Sequence, residues 1–278
     1  MALPPSFAKD GFQHISKIRP RYKRLMMSIA GDAGTGKSTF ALTAPGPGLG
    51  VILDRGIEQS TREDAIVAPQ LENWGFQILS PPMPSAAKQE QFASHWVNVR
   101  DTIYRAAANV EARSIMFDGD TESWQLQRAA EFGKLTKVPS HLYDGVNSAR
   151  RAFYARCFDS GKNFIATNTL SKIYVTKLMP DGTPEKNSAG NDVRVWNGEY
   201  ERKGFSDQTY LWQVHVLALH EVSAGGEHTY GIKIEMNKLN PSVEGMELWG
   251  EECNFQTLAQ YTYPNSKPED WGYPKGTW

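Results

Sequence analysis

Residues 31–38 read GDAGTGKS, and this octapeptide constrains the chain more than any other feature. It satisfies every fixed position of the pattern G-x-x-x-x-G-K-[ST]. Glycines let successive backbone N–H groups converge on phosphate oxygens, the lysine reaches the β- and γ-phosphates, and the serine hydroxyl binds Mg²⁺. The apolar RLMMSIA before it predicts a strand, and TFALTA after it predicts a helix. We therefore predict a phosphate-binding loop (P-loop) for a nucleotide; its residues are Gly31, Asp32, Ala33, Gly34, Thr35, Gly36, Lys37, Ser38 and Thr39.

Composition limits the classes of protein that fit. The 278 residues are enough for one large α/β domain, alone or with appendages. The formal net charge of −1 excludes a global basic field, so any nucleic acid must contact a local patch. Cys157 and Cys253 are not in metal-ligand spacing. A single disulfide is one reading, and two thiols in a reducing cytoplasm the favoured one. Without a membrane-length apolar run or a signal-peptide core, we expect a cytoplasmic protein.

The pattern of apolar residues predicts the architecture. Up to residue 168, short apolar strands alternate with amphipathic helices, which is typical of a parallel sheet covered on both faces. After residue 170, short alternating runs predict antiparallel strands added at one edge. The predicted strands and helices up to that point are strands 24–30, 50–54, 76–79, 114–117 and 164–167, and helices over 92–107, 121–134 and 146–157.

We predict three parts of the chain. Residues 1–23 form a basic N-terminal arm, either a solvated approach to the first strand or a docking segment. Residues 24–249 form the nucleotide-binding core. Residues 250–278, rich in aromatic residues and proline, either wrap the core or dock on a neighbour.

Acidic and polar residues follow two of the predicted strands. Asp118 comes directly after the strand SIMF and is predicted to bind Mg²⁺ together with Ser38, from a strand adjacent to the P-loop strand. Asp120 and Glu122 are weaker candidates for orienting an attacking water. Asn168, or Thr167 before it, is predicted to sense the γ-phosphate.

The order of these motifs resembles the RecA-like ATPases, which include DnaB-type helicases and compact phage-encoded proteins of recombination and single-strand annealing. GDAGTGKS, GVILD, SIMFD, FIATN and KIEMNKLN correspond to successive family motifs over about residues 24–245. The resemblance implies an α/β RecA-like core, Mg-ATP hydrolysis and assembly into a ring or filament. The chain's short length is most similar to the phage group. That group acts in recombination, annealing or replication, with phage or host proteins as further partners, inside the bacterial host.

One position departs from the family pattern. The family has a catalytic glutamate two residues after the aspartate that ends its second strand, whereas here Asp54 is followed by Arg55 and Gly56. Glu58 comes two residues later. Three readings stay open: Glu58 is brought into place by a bulge, Asp54 replaces it, or hydrolysis is slow.

The resemblance also implies where DNA and a neighbouring subunit act. Two loops would line the DNA path, at about residues 134–141 and 171–208, and the second mixes basic residues with aromatic rings. Acidic residues dilute its charge, so an ordinary polar hairpin is an equal reading. Lys238, with Lys233 as a second candidate, would reach the nucleotide of a neighbouring subunit.

Two other functions fit a P-loop. A nucleotide-gated scaffold or loader with weak hydrolysis is favoured by Gly56. A small-molecule kinase would need an arginine-rich lid, and no such segment is evident.

Overall fold

The computed structural model describes residues 23–53, 75–81, 88–133, 138–273 and 275. Ten strands and seven α-helices are assigned within those ranges. The strands are β1 (Met26–Ala30), β2 (Gly48–Ile52), β3 (Phe76–Leu79), β4 (Ser114–Asp118), β5 (Asn163–Asn168), β6 (Leu170–Thr176), β7 (Arg194–Arg202), β8 (Val214–Val222), β9 (His228–Asn237) and β10 (Glu247–Trp249). The helices are α1 (Lys37–Leu42), α2 (Gln89–Ala108), α3 (Asp120–Phe132), α4 (Tyr143–Asp159), α5 (Gln208–Leu211), α6 (Phe255–Thr262) and α7 (Pro268–Trp271).

Among these residues, one sheet of eight strands has the order β3-β2-β4-β5-β1-β8-β9-β10. The first six of these are parallel to one another, and β9 and β10 are antiparallel additions next to β8. The predicted α/β architecture is thereby confirmed: a mostly parallel sheet with helices and antiparallel strands at one edge. The carboxyl ends of the parallel strands lie side by side along one border of the sheet, perpendicular to the strands. This border is called here the carboxyl edge.

Strand alternation divides the core into two layers. Met27 and Ile29 of β1 face a cluster that includes Phe40 of α1 and the C-terminal residues Phe255 and Trp271. Met26 faces the opposite cluster, built largely from α2, α3 and α4. Helices therefore cover both faces, because parallel strands buried on both sides need apolar partners on each.

The late strands pair differently from the prediction. Strands β6 and β7 form a separate two-stranded sheet instead of joining the edge of the main one. In the main sheet, strand β8 runs parallel to β1, and of its described strands only β9 and β10 pair in the antiparallel direction. Local alternation identifies a strand but not its partner, since pairing depends on residues distant in sequence.

The P-loop strand and the Asp118 strand are also not adjacent, contrary to the prediction. Strand β5 lies between β1 and β4 and pairs with both.

The described C-terminal residues pack on the core: Phe255 N donates to Thr43 Oγ1 (2.7 Å), and Tyr273 Oη donates to Thr43 O (2.9 Å). Within the described ranges, no helix combines the length and apolar character that crossing a membrane requires.

Candidate nucleotide-binding site

The P-loop leaves the carboxyl edge of the sheet from the end of β1. Gly31 N donates to the carbonyl of Asn168, which ties the start of the loop to the end of β5 (3.3 Å). A Cβ on Gly31 would lie 2.6 Å from Thr35 Oγ1, so no larger residue fits there without displacing that side chain. Gly34 and Gly36 have φ of 78° and 81°, a region that other residues rarely adopt. The glycines thus have the conformational roles that the motif requires.

Lys37 folds back over this loop. Its Nζ donates to the carbonyls of Gly31 (3.0 Å) and Asp32 (2.6 Å). The ammonium is therefore held against the loop, where the motif expects a phosphate chain.

Ser38 and Asp118 meet at the carboxyl edge although a strand separates β1 from β4. Ser38 Oγ donates to Asp118 Oδ2 (2.7 Å), and the second carboxylate oxygen accepts a hydrogen bond from Thr167 Oγ1. Thr167 is itself positioned by Gly119 N, which donates to its Oγ1 (2.9 Å). Hydroxyl and carboxylate oxygens are suitable Mg²⁺ ligands, and Mg²⁺ commonly uses one or two carboxylates together with substrate phosphates. The residues present thus fit the ion; the metal role of Ser38 and Asp118 stays a prediction.

Asp120 belongs to a buried polar network behind this edge. Its carboxylate accepts hydrogen bonds from Arg150 Nη2 (2.7 Å) and Tyr154 Oη (2.8 Å), and the Asp120 and Arg150 side chains are fully buried. Burial raises the pKa of Tyr154 well above its usual range, so its hydroxyl stays protonated and donates. The Asp120 carboxylate is thus engaged in buried structural hydrogen bonds, which argues against its orienting an attacking water.

The side chain of Asn168 also forms hydrogen bonds with buried polar neighbours. Its amide nitrogen donates to Asp120 Oδ2 (3.0 Å) and Gln208 Oε1 (3.2 Å), and its side-chain oxygen accepts from Ser28 Oγ (2.7 Å). The residue is 2% exposed. Thr167, not Asn168, contacts the carboxylate of Asp118, so of the two predicted sensor positions Thr167 is the nearer to that group.

Lys238 lies at the opposite edge of the sheet from the P-loop of its own chain. It follows β9, whose last residue pairs with Val214 at the beginning of β8. Its Nζ donates to the carbonyls of Thr209 (3.1 Å) and Tyr210 (2.9 Å). A role at a neighbouring subunit's nucleotide stays a prediction, as it does for Lys233.

Several predicted features lie outside the described residues. These are Glu58, Asp54 and Gly56 at the departure from the family pattern, the basic N-terminal segment up to residue 22, and residues 134–137 of the first DNA loop.

The predicted second DNA loop is an extended β-hairpin, β6–β7, here called the arm. Its rings are exposed: Tyr174 by 47%, Trp196 by 42% and Tyr200 by 45%. Lys172 Nζ lies 4.8 Å from the centroid of the Trp196 ring, and Trp196 contacts Tyr200 edge-on at 5.3 Å. Other lysines of the arm are paired with acids, as in Lys177–Glu185 (2.8 Å). Aromatic surface, and not net positive charge, is what the arm presents.

The base of the arm is tied to the turn after Asp118. Thr121 Oγ1 donates to Lys203 O (2.8 Å) and accepts from Thr169 N (3.0 Å). The residues before β6 and after β7 are thus held by one hydroxyl, three residues after Asp118 in the chain. Sequence reasoning missed this link, because nothing in the composition of either segment identifies the other.

Comparison with known proteins adds little to this geometry. A scan against models of protein families finds no match, and a search among curated proteins finds none either. Among solved structures, the chain is similar to the KaiC-like protein PH0186 from the hyperthermophilic archaeon Pyrococcus horikoshii OT3, with a TM-score of 0.44 and 12% sequence identity. The match covers 80% of this chain and 83% of that chain. So loose an overlap assigns no function, and the fold class rests on the strand order described above.

Proposed function

We propose that this chain is a Mg²⁺-dependent ATPase whose nucleotide binds at the P-loop. The observation that carries the proposal is the 2.7 Å contact between Ser38 Oγ and Asp118 Oδ2 beside a loop with Lys37 above it. A P-loop, a lysine and a strand-end carboxylate are the parts that phosphoryl transfer from ATP requires. Mg²⁺, when bound, neutralises charge on the β- and γ-phosphate oxygens.

In this proposal each residue of the site has a separate role in hydrolysis. Lys37 stabilises negative charge on the transferred group, and Ser38 and Asp118 hold the metal. Thr167 fixes the orientation of the Asp118 carboxylate through its hydrogen bond. Glu58 or Asp54 would activate the water, and slow turnover is the expected consequence if neither reaches it.

The finer proposal is that the ATPase binds single-stranded DNA through the arm, as a homo-oligomer acting in recombination, annealing or replication of a phage. Exposed rings support this part, because bases stack on aromatic side chains without regard to sequence. The contacts of Thr121 support a link between the nucleotide and the arm, since a shift at Asp118 would move the base of the arm. Lys238 would serve the site of the neighbouring subunit.

Two alternatives use the same P-loop differently. A nucleotide-gated scaffold would bind Mg-ATP with weak turnover, which Gly56 at the usual glutamate position favours. A small-molecule kinase would transfer phosphate to an acceptor. The exposed arm favours a macromolecular partner over a small acceptor.

The test is ATP hydrolysis by the wild type, Lys37→Ala and Lys267→Ala, each with and without single-stranded DNA. Lys267 is an exposed lysine before α7, remote from the P-loop, and is the matched control. We expect turnover in the wild type and the control, a rise on adding DNA, and at least a 100-fold loss in Lys37→Ala, because one transition-state charge contact contributes about that much.

The outcomes separate the proposals. Binding of Mg-ATP without turnover or response to DNA would favour the scaffold. Transfer of phosphate to a small acceptor would identify a kinase. Equal turnover in the wild type and Lys37→Ala would overturn the assignment of the site.

A further inference from the structure

Three nearly parallel rings lie on the β8–β9 hairpin on the side of the P-loop away from Asp118, and Tyr230 is the one next to Gly36. The rings of His220 and Tyr230 are parallel within 12° with centroids 4.7 Å apart, and the ring of His228 lies beside that of His220, parallel to it within 11° at a centroid distance of 5.0 Å. His220 Nε2 and His228 Nδ1 lie 2.8 Å apart, at hydrogen-bond distance. We call these three side chains the ring stack. Its outermost member toward the P-loop is Tyr230, whose ring Cδ1 is 3.3 Å from the position a Cβ would take on Gly36.

The ring stack is placed by strands that extend past the carboxyl edge. Ala30, the last residue of β1, pairs with Leu217, yet β8 continues to Val222. The β8–β9 hairpin therefore extends about five residues, or ~17 Å, beyond the end of β1. His220 and Tyr230 are a cross-strand pair on that extension.

The extension turns its rings toward the P-loop. Ala218, two residues before His220 and hence on the same face, would be 3.0 Å from a Cβ on Gly31. The hairpin thus forms a wall beside the loop, and Tyr230 is the part of the wall nearest Gly36.

The order of the strands gives a bound nucleotide a direction. Strands β8 and β9 lie on one side of β1, and β5 and β4 lie on the other. Asp118, the predicted ligand of Mg²⁺, lies on β4, and a bound Mg²⁺ would neutralise charge on the terminal phosphates beside it. In that case the γ-phosphate of a bound nucleotide would point toward β4. Its nucleoside would then leave the loop toward β8 and β9, where Tyr230 lies.

We propose that Tyr230, backed by His220 and His228, stacks on the base of the nucleotide held by the P-loop. The inference rests on the proposed nucleotide site and names the subsite for its base. Tyr230 is 42% exposed, although it already stacks on His220 with one face, so ring surface remains for a ligand. The parallel histidines behind it fix the ring orientation, which lowers the entropy lost when a base stacks on it.

The experiment compares a ligand that has a base with one that has none. The wild type, Tyr230→Ala and Tyr230→Phe are titrated calorimetrically with the β,γ-imido analogue of ATP and with inorganic tripolyphosphate, both with Mg²⁺. Tyr210→Ala is the matched control, since Tyr210 is 83% exposed and its backbone carbonyl contacts Lys238 at the opposite edge of the sheet.

We expect Tyr230→Ala to bind the ATP analogue about 5- to 150-fold more weakly, the range for loss of one base–aromatic stack, and to bind tripolyphosphate as the wild type does. Tyr230→Phe and Tyr210→Ala should match the wild type with both ligands. Thermal unfolding of each variant verifies that the fold is intact.

Two results would overturn the inference while leaving the nucleotide site in place. An equal loss for both ligands in Tyr230→Ala would make the ring a support of the P-loop only, and no loss for either would remove it from the site. Failure of the wild type to bind both ligands would instead refute the proposed function, and this inference with it.

Discussion

At the scale of single residues, the candidate site depends on contacts between side chains that are distant in sequence. Ser38 and Asp118 are 80 positions apart, and Thr167 is 49 positions beyond Asp118. The type of each residue follows from the motif or from its place at a strand end, so the first two could be predicted. The sequence could not tell whether Thr167 or Asn168 contacts Asp118, because this depends on which side of β5 each side chain occupies.

A buried histidine gives the fold a measurable pH dependence. His215 is 3% exposed, and burial, together with the positive charges of Arg202 and Lys238, lowers its pKa from 6.5 to about 3. Below pH 6.5 the unfolded chain binds a proton here that the folded chain refuses until about pH 3. His215 therefore contributes stability that is fully present above pH 6.5 and is lost as the pH falls toward 3.

We predict that His215→Leu removes this component. The wild type should lose up to ~1.4 kcal/mol of unfolding free energy per pH unit below pH 6 from this one group, and the variant should not. Urea unfolding between pH 7.5 and 4.5 measures the slopes, and His141→Leu, at an exposed histidine, controls for a lost imidazole. Identical slopes in the wild type and His215→Leu would contradict the prediction.

At the scale of elements, the arm exposes side chains, including aromatic rings, that do not pack against the core. Strand β7 is exposed at eight successive residues from Arg194 to Glu201, yet it carries Trp196 and Tyr200. Arg202, by contrast, anchors the arm: its Nη2 donates to Val216 O (2.7 Å) and pairs with Glu235. An element held firmly at its base with bare rings along its length is suited to contact a partner.

We predict that Trp196→Ala weakens binding of single-stranded DNA by about 5-fold or more, because one stacked base contributes about 1–3 kcal/mol. Fluorescence anisotropy of a labelled oligothymidylate, with Mg²⁺ and the ATP analogue present, measures the affinity. Tyr210→Ala serves again as the control. Wild-type protein that does not bind the oligonucleotide would refute DNA as a partner, and a Trp196→Ala affinity equal to that of the wild type would refute stacking on the arm.

Local patterns predicted the elements better than their partners. The stripe from Phe92 to Ala107 identified α2, and FQIL matches β3 residue for residue. The separate β6–β7 sheet and the parallel direction of β8 were missed, since both depend on which strand edges are free once the core has formed. The place of Tyr230 beside Gly36 was missed for the same reason, because it depends on the extension of β8 and β9 past β1.

At the scale of the whole molecule, the carboxyl edge of one sheet brings the proposed parts together. The P-loop leaves β1 near the middle, Asp118 lies on one side and the ring stack on the other. The base of the arm is held to the segment after Asp118. Ligand sites of open α/β sheets lie outside the carboxyl ends of the strands, and the P-loop and Asp118 lie there in this chain.

The most direct test of this account is the Mg²⁺ dependence of nucleotide binding. The wild type and Asp118→Asn are titrated with the β,γ-imido analogue of ATP, once with Mg²⁺ and once with EDTA. We predict that Mg²⁺ raises the affinity of the wild type at least tenfold and that of Asp118→Asn much less, because asparagine keeps the shape of aspartate but loses its charge for the metal. A wild type that does not bind the analogue, or an equal Mg²⁺ effect in both proteins, would contradict the assignment of Ser38 and Asp118 as the metal site.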